Sequence, residues 1–368
     1  MKKVFISAYL NNNLGDDLFV KILCERYPQT QFYIYDSKKK LSVFSEIKNL
    51  NYVYKNFLFK VIDKFSNLYF NRSLIKSIIG LFMDAHIYIG GSLFMEKENW
   101  EKKIKIDNGK LINNKRNFLL GCNFGPFENI DFLERYKKVF ERYDDICFRD
   151  YKSYELFKEL SCVRVAQDVV FNLNYQKDNI SKEKNIGISL IDLTNRDDLA
   201  RFKEVYLLKL KDICEYYIKL DYNITLFSFC KYEGDEKAIE ELLELVDENK
   251  KHKINVFNYE NNLDLALTEF NKVETIYATR FHSMILGFLL NKKVYPIIYS
   301  KKMTNVLKDI NFQGEYCNIE DIEKLETQAL ENLSYKKLNM EYIIDDSKLQ
   351  FLNLDKYLVN DQVKYKES

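Results

Sequence analysis

Residues 275–290 read Thr-Ile-Tyr-Ala-Thr-Arg-Phe-His-Ser-Met-Ile-Leu-Gly-Phe-Leu-Leu. A short β-branched and aromatic run leads into a polar turn, and an apolar run of helical length follows. A second apolar run, 294–298, comes next. Strand, helix and strand in this order and at these lengths make a βαβ unit, whose two strands must lie parallel in one sheet. The turn carries Arg280 and His282 just where a strand gives way to a helix.

The same alternation extends toward the N-terminus. The pattern predicts strands at 186–190, 224–229 and 254–257, with helices near 198–220, 233–249, 263–271 and 282–290. In the first half it predicts strands at 4–8, 32–35, 86–89, 117–120, 146–148 and 164–166, with helices near 17–27 and 130–142. The polar stretch 178–185 separates the two series and reads as a domain boundary. The tail, 319–333 and 342–359, reads as helical and is expected to pack back across both domains. The expected architecture is α/β, with two Rossmann-like domains facing a cleft: 1–178, 185–335, and a helical tail over 336–368. Open α/β sheets bind ligands beyond the carboxyl ends of their strands, so the loops at those ends decide function.

Composition narrows the classes. The 368 residues include 27 Tyr and 27 Phe but only 11 Gly and 3 Pro, which excludes collagen-like, linker-like and disordered chains. A net charge of +1 gives no case for nucleic-acid binding, and no such partner is expected. Charge is uneven, however: residues 1–175 carry 28 Lys and Arg against 21 Asp and Glu, and the remainder 28 against 34. Seven cysteines without a Cys-x-x-Cys fit a reducing compartment and packed thiols. Three histidines without a His-x-x-x-His leave no expected metal site. The apolar start at 4–6 stops at Asn11-Asn12-Asn13, too early for a signal peptide, and 78–89 is too short to span a bilayer, so a cytoplasmic protein is expected.

The rare glycines fall at strand ends. The first strand runs into Asn13-Leu14-Gly15-Asp16-Asp17. There Gly15 permits a tight turn, Asp16 or Asp17 could cap the helix, and Asp16 could serve as a base; an ordinary capped loop is the competing reading. Gly90-Gly91-Ser92 follows another strand and suits close approach to a phosphate or sugar, or simply a tight turn. Neither a G-x-G-x-x-G nor a Walker A motif occurs. Gly121-Cys122-Asn123-Phe124-Gly125-Pro126 is a specific turn whose Cys122 reads as packed rather than nucleophilic. Arg149, followed by Asp150 and Ser153, suits binding of a phosphate or carboxylate, or else pairs with Asp150. Asp168 ends a further strand, and Tyr299-Ser300-Lys301-Lys302 brings positive charge after the strand at 294–298. The strongest pair is Arg280 with His282, an anion binder beside the side chain that titrates nearest neutral pH.

In this order the loops resemble the polysaccharide pyruvyl transferase family. The matching motifs are Asn13-Leu14-Gly15-Asp16, Gly90-Gly91-Ser92 (with Ser92 where the family has a third Gly), Gly121 to Pro126, Arg149 with Ser153, Asp168, Arg280-Phe281-His282, and Tyr299 with Lys301. They spread over residues 4–305. The resemblance implies a fold similar to GT-B glycosyltransferases, phosphoenolpyruvate as co-substrate with no other cofactor, and a saccharide acceptor. The product would be a pyruvate ketal on two sugar hydroxyls. It implies an acceptor side in the first domain and a donor side in the second. His282 is then the expected general acid and Asp16 the base. Arg280, Arg149 and Lys301 would hold the donor's anionic groups, and Asn13, Gly15, Gly90, Gly91, Ser92, Asn123, Asp168, Ser283 and Tyr299 complete the expected substrate-binding set. The competing readings are a GT-B glycosyltransferase using a nucleotide sugar and a saccharide-binding protein without catalysis.

The segment 56–79 stands apart. Its apolar residues at 58, 61, 62, 65, 68 and 69 form a helical stripe interleaved with Lys60, Lys64, Arg72 and Lys76. Such a helix either lies on a membrane surface, which would suit a lipid-linked acceptor, or packs on its own domain.

Overall fold

The computed structural model describes residues 1–70, 73–175, 184–196, 198–329 and 338–360. Arg72, most of the expected boundary (178–183) and the junction of second domain and tail (330–337) lie outside the described residues. Two compact units emerge. One is Met1–Leu10, Asp16–Asn172 and Ile344–Ser368; the other is Asn11–Gly15 and Leu173–Ile343.

The first unit contains strands β1 (Lys3–Ala8), β2 (Gln31–Asp36), β3 (Leu50–Tyr54), β4 (Ala85–Ile89), β5 (Arg116–Cys122), β6 (Asp145–Phe148) and β7 (Val163–Val165). All pair in parallel, in the order β3-β2-β1-β4-β5-β6-β7. The second contains β8 (Asn185–Ser189), β9 (Asn223–Ser228), β10 (Ile254–Asn258), β11 (Thr275–Ala278), β12 (Lys293–Ile298) and β13 (Cys317–Asn318). These too are parallel, in the order β10-β9-β8-β11-β12-β13. Both are Rossmann-like orders. In each, the chain winds outward from its first strand and then resumes on that strand's other side. The switch points lie between β1 and β4 and between β8 and β11, where such sheets open beyond their carboxyl ends.

The central strands are legible because helices cover both faces of a parallel sheet, so their residues are apolar without alternation. Every residue of β4 and β8 is buried. Edge strands carry a weaker pattern. The structure adds β3 to the expected set; its residues Asn51 to Val53 are half-buried and Tyr54 is exposed. It also adds the two-residue β13. The expected tail helix over 319–333 is instead a 3-10 segment, Ile319–Lys324, with a non-helical kink at Asp321.

Helix Leu14–Arg26 follows β1, with Asp16 and Asp17 in its first turn and Arg26 in its last, the order that complements a helix dipole. Its cap is neither aspartate. The Asn13 side-chain oxygen accepts from the Gly15 N–H at 3.1 Å. The loop before it belongs with the second unit because its bonds go there. Leu14 N–H donates to the Phe229 carbonyl (3.1 Å), and the Asn12 amide donates to the Glu260 carbonyl (2.7 Å). The C-terminal stretch from Ile344 belongs with the first unit rather than lying across both. Arg26 grips Asp355 through two bonds (3.0 and 2.7 Å), and buried Gln350 joins Gly121 N–H (3.1 Å) to the carbonyls of Phe148 (3.2 Å) and Ala166 (2.9 Å).

Cys122 packs in an aromatic cluster with Phe94, Phe124, Phe132, Tyr136, Phe140 and Phe157, and burial pushes its thiol far up, as befits a packed side chain. His86 is fully buried on β4, where its Nε2 meets Ser7 Oγ at 2.9 Å. Segment 56–79 forms two helices, Phe57–Phe70 and Leu74–Leu81. Of its expected stripe, Leu58, Phe65, Leu68 and Tyr69 are exposed and Val61 and Ile62 half-buried. Among the described residues, no helix is long and apolar enough to cross a membrane.

Candidate active site

In the first unit, the ends of β4, β5 and β6 converge on Arg149. Its guanidinium is 2% exposed, which for a cation demands partners. Nη1 donates to Asp168 Oδ2 at 3.0 Å and Nη2 to Asn123 Oδ1 at 2.6 Å, with Ser92 Oγ at 3.5 Å. Gly91 makes room for it: a Cβ there would lie 2.8 Å from Nη1. The Gly91 N–H donates to Asp16 Oδ1 at 3.2 Å, and its carbonyl accepts from the Asn123 N–H at 3.0 Å. Asp16, Gly91, Ser92, Asn123, Arg149 and Asp168 therefore form one network, and Gly90 leads into it. Asp150 is not the partner of Arg149. Its carboxylate caps helix Tyr151–Glu155 by accepting from Ser153 N–H (2.9 Å) and Ser153 Oγ, whose oxygen in turn accepts from Phe124 N–H (2.8 Å). Arg149 and Asp168, expected to bind substrate, hold each other in this network. Burial pushes the Asp168 carboxyl up, while Arg149 opposes that rise.

In the second unit, Arg280 ends the β11 turn and caps helix Phe281–Leu289. Its guanidinium is also enclosed. Nε donates to Asp235 Oδ2 at 2.9 Å, Nη2 donates to Asp235 Oδ1, and Nη1 donates to Glu233 Oε2. Asp235 Oδ2 also accepts the N–H groups of Phe229 and Cys230, both at 2.9 Å. Burial lowers Arg280, but Asp235 and Glu233 outweigh that and hold it a cation. Ser283, expected at the substrate, is fully buried and instead staples the turn: its hydroxyl donates to the Arg280 carbonyl (2.7 Å) and meets Ser189 Oγ. Ser189 Oγ in turn accepts from the N–H groups of Thr279 and Arg280, each at 3.1 Å.

Glu233 is the hub. Besides Arg280 it meets Arg196 Nη2 at 3.4 Å and Asn13 Nδ2 at 3.5 Å. Burial pushes its carboxyl up, yet Arg280, Lys302 and Arg196 together bring it down to about 2. Tyr299 lies beneath these cations. The Arg196 guanidinium is 4.7 Å, and Lys302 Nζ 5.2 Å, from its ring centroid. Burial raises the phenol, but Lys302, Arg280 and Arg196 leave it below its ordinary value. Lys301, exposed, opens helix Lys301–Asp309. His282 sits in the first turn after Arg280, 9% exposed and edge-on to Phe281 at 5.0 Å. Its ring lies directly on Gly15, where a Cβ would fall 1.7 Å from Nδ1. The structure thus gathers Asn13, Gly15, Arg280, His282 and Tyr299 in one unit.

Arg196, Glu233 and Asp235 belong to this site and escaped the sequence reading, and Lys302, read there only as added positive charge, joins them. One signal did exist for Arg196. It lies in the loop after β8, beside the switch point of the second sheet, where a ligand-facing residue is expected. Glu233 and Asp235 gave no such signal, because their partner is Arg280, more than forty positions away.

Two parallel Rossmann-like sheets define a GT-B-like fold. The chain is similar to MnaA of Staphylococcus aureus, solved with UDP, at a TM-score of 0.61 and 13% identity over 97% of both chains. It is also similar to the UDP-GlcNAc 2-epimerase of Methanocaldococcus jannaschii, at a TM-score of 0.55 and 11% identity, over 96% of this chain and 99% of that one. The chain belongs to the polysaccharide pyruvyl transferase family, whose model matches residues 13–301. It is 23% identical over 263 residues to the amylovoran biosynthesis protein AmsJ of Erwinia amylovora, a match covering 65% of this chain and 62% of that protein.

Proposed function

We propose that this chain transfers the enolpyruvyl-derived group of phosphoenolpyruvate onto two hydroxyls of a saccharide in exopolysaccharide synthesis, forming a pyruvate ketal. The observation that carries this reading is the second unit's site: His282 seated on Gly15, beside a cluster of cations around Tyr299. Family membership supports it.

Phosphoenolpyruvate presents a phosphate and a carboxylate. The buried guanidiniums of Arg149 and Arg280 are held by close carboxylates, so the donor's anions fall to Lys301, Lys302 and the more exposed Arg196, whose own pairing with Glu233 is long at 3.4 Å. In the proposed reaction His282 protonates the enol carbon, C3, and leaves C2 as an oxocarbenium-like electrophile. A saccharide hydroxyl adds to C2, and its proton passes to Asp16. Phosphate then leaves with the C2–O bond electrons and carries off the proton held by Asp16, and a second hydroxyl adds at C2 to close the ketal, its proton returning to His282. The balance is one diol and one phosphoenolpyruvate giving one ketal and one phosphate. A lipid-linked acceptor, with the chain at the membrane surface, completes the reading.

The test is saccharide-dependent phosphate release from phosphoenolpyruvate, with mass spectrometry of the product. Arg196→Gln and Lys302→Gln are expected to raise KM for phosphoenolpyruvate about tenfold each. Nucleotide release from a nucleotide sugar, with no reaction of phosphoenolpyruvate on any acceptor, would replace this function with glycosyl transfer.

A further inference from the structure

Helices Phe57–Phe70 and Leu74–Leu81 carry apolar side chains on their outward as well as their inward sides. The sides turned into the protein carry polar groups. Asp63, 3% exposed, accepts from Tyr35 OH (2.8 Å) and Ser73 Oγ and lies 3.5 Å from Lys55 Nζ; buried Ser66 accepts from the Leu74 N–H at 3.1 Å. Phe59, Ile62, Ile75 and Ile79 attach the pair to the unit around Phe5, Tyr35 and Met83. The sides turned outward carry Phe65, Leu68, Tyr69, Phe70, Leu81 and Phe82, exposed by 58, 68, 71, 67, 71 and 70%. A helix on a globular domain buries its rings and exposes its charges. Here four rings and two leucines face solvent on two neighbouring helices, an excess of exposed apolar surface that marks a docking surface.

Charge says what docks. Asp63 is the sole carboxylate in these two helices, and it is buried and bonded. Lys60 and Lys64 are exposed among the rings. Phe70 and Leu81 also line an adjoining pocket of about 560 Å³, whose other walls include Lys76, Lys105, Arg142 and Lys110, the last already paired with the buried Asp107 at 2.7 Å. Burial first, then the neighbouring Lys110, bring the Lys76 ammonium down to about 8, although Asp36 and Asp63 oppose that fall.

We propose that this helical pair and its cationic pocket dock on an anionic phospholipid bilayer, with the exposed rings in the acyl boundary and a headgroup phosphate in the pocket. Apolar side chains entering the interface provide the adhesion. The cations select the lipid, since each Lys or Arg near an anionic surface adds about fivefold to partitioning. A protein partner would need acidic complementarity to this pocket.

The proposal rests on the transfer reading only for its purpose, so its test uses neither donor nor acceptor. The full chain is floated with vesicles of phosphatidylglycerol and phosphatidylcholine, and with phosphatidylcholine alone. Binding is expected on the anionic vesicles and at least about tenfold weaker on the neutral ones. Phe65→Glu with Leu68→Glu should abolish it. Lys105→Glu with Arg142→Glu should reduce it about twentyfold or more while the circular dichroism stays unchanged. No flotation, or equal flotation on both vesicles, overturns the proposal. So does a vesicle-free dimer, seen by sedimentation, that Phe65→Glu with Leu68→Glu dissociates. Saccharide-dependent phosphate release measured without vesicles judges the transfer reading separately.

Discussion

Gly15→Ala tests whether His282 is held where acid catalysis needs it. The added Cβ would lie 1.7 Å from Nδ1, 2.2 Å from Cγ and 2.4 Å from Cε1. Ordinary contact begins near 3.4 Å, so ring and methyl must separate by about 1.7 Å. His282 is anchored in the first turn of a helix whose next residues, Ser283 and Met284, are fully buried, so the turn resists moving as a whole. The side chain must yield instead. A misplacement of about 1 Å costs on the order of 10²-fold, and a positioned acid contributes about 10²–10⁴-fold. Gly15→Ala should therefore lower kcat about 10²- to 10³-fold in saccharide-dependent phosphate release from phosphoenolpyruvate. His282→Ala should do the same or worse. The double variant should be no slower than His282→Ala, because both changes remove one function. With three histidines in the chain, the His282 imidazole can also be followed by NMR, which needs no substrate. A Gly15→Ala protein with unshifted His282 resonances and turnover within about threefold of wild type refutes the reasoning. A Gly15→Ala loss that persists undiminished in the His282→Ala background refutes it as well.

Asp235→Asn leaves the buried Arg280 short of its bidentate partner and should cost about 3–5 kcal/mol in urea unfolding; a loss under about 1 kcal/mol would show that Glu233 alone satisfies the cation. His86 gives a pH dependence. Burial first, then Lys110 and Lys76, bring its imidazole from 6.5 down to about 3, so below 6.5 the unfolded chain binds a proton that the folded chain refuses. Its contribution is complete above 6.5 and declines by up to about 1.4 kcal/mol per pH unit toward 3. His86→Gln should flatten the acid limb of stability against pH, and an unchanged slope between pH 6 and 4 (roughly the accessible part of that window) would place the acid sensitivity elsewhere.

What the sequence disclosed follows from what is local. A central strand such as β8 is buried on both faces, so its residues announce it without reference to any neighbour. Edge strand β3 has lost that signature, since half-buried Asn51 and exposed Tyr54 read equally well as loop. The strand-end loops were legible because Gly, Arg and His stand out at a βα turn. Their partners were not. Arg149 has Asp150 beside it in the chain, yet that carboxylate is occupied by Ser153, and the guanidinium reaches nineteen positions on to Asp168. Charge pairing in a doubly wound sheet is decided by which loops the strand order brings together, and this order is not written in any one loop.

The glycines then carry a different meaning from a phosphate cradle. Gly15 and Gly91 each stand where a Cβ would collide with a side chain of this same protein, His282 in one case and Arg149 in the other. Backbone is kept bare at these two points to seat a functional side chain, and the arginines so placed or capped are matched to carboxylates before any ligand arrives. A donor that carries both a phosphate and a carboxylate would therefore gain most from cations whose charge is not already matched in full. Arg196 shares Glu233 with Arg280, Lys302 lies over the rings of Tyr299 and Phe281, and Lys301 is exposed. Arg280 and Asp235 fix the turn that presents His282, and in the proposed reaction the looser cations around Tyr299 would select what His282 protonates.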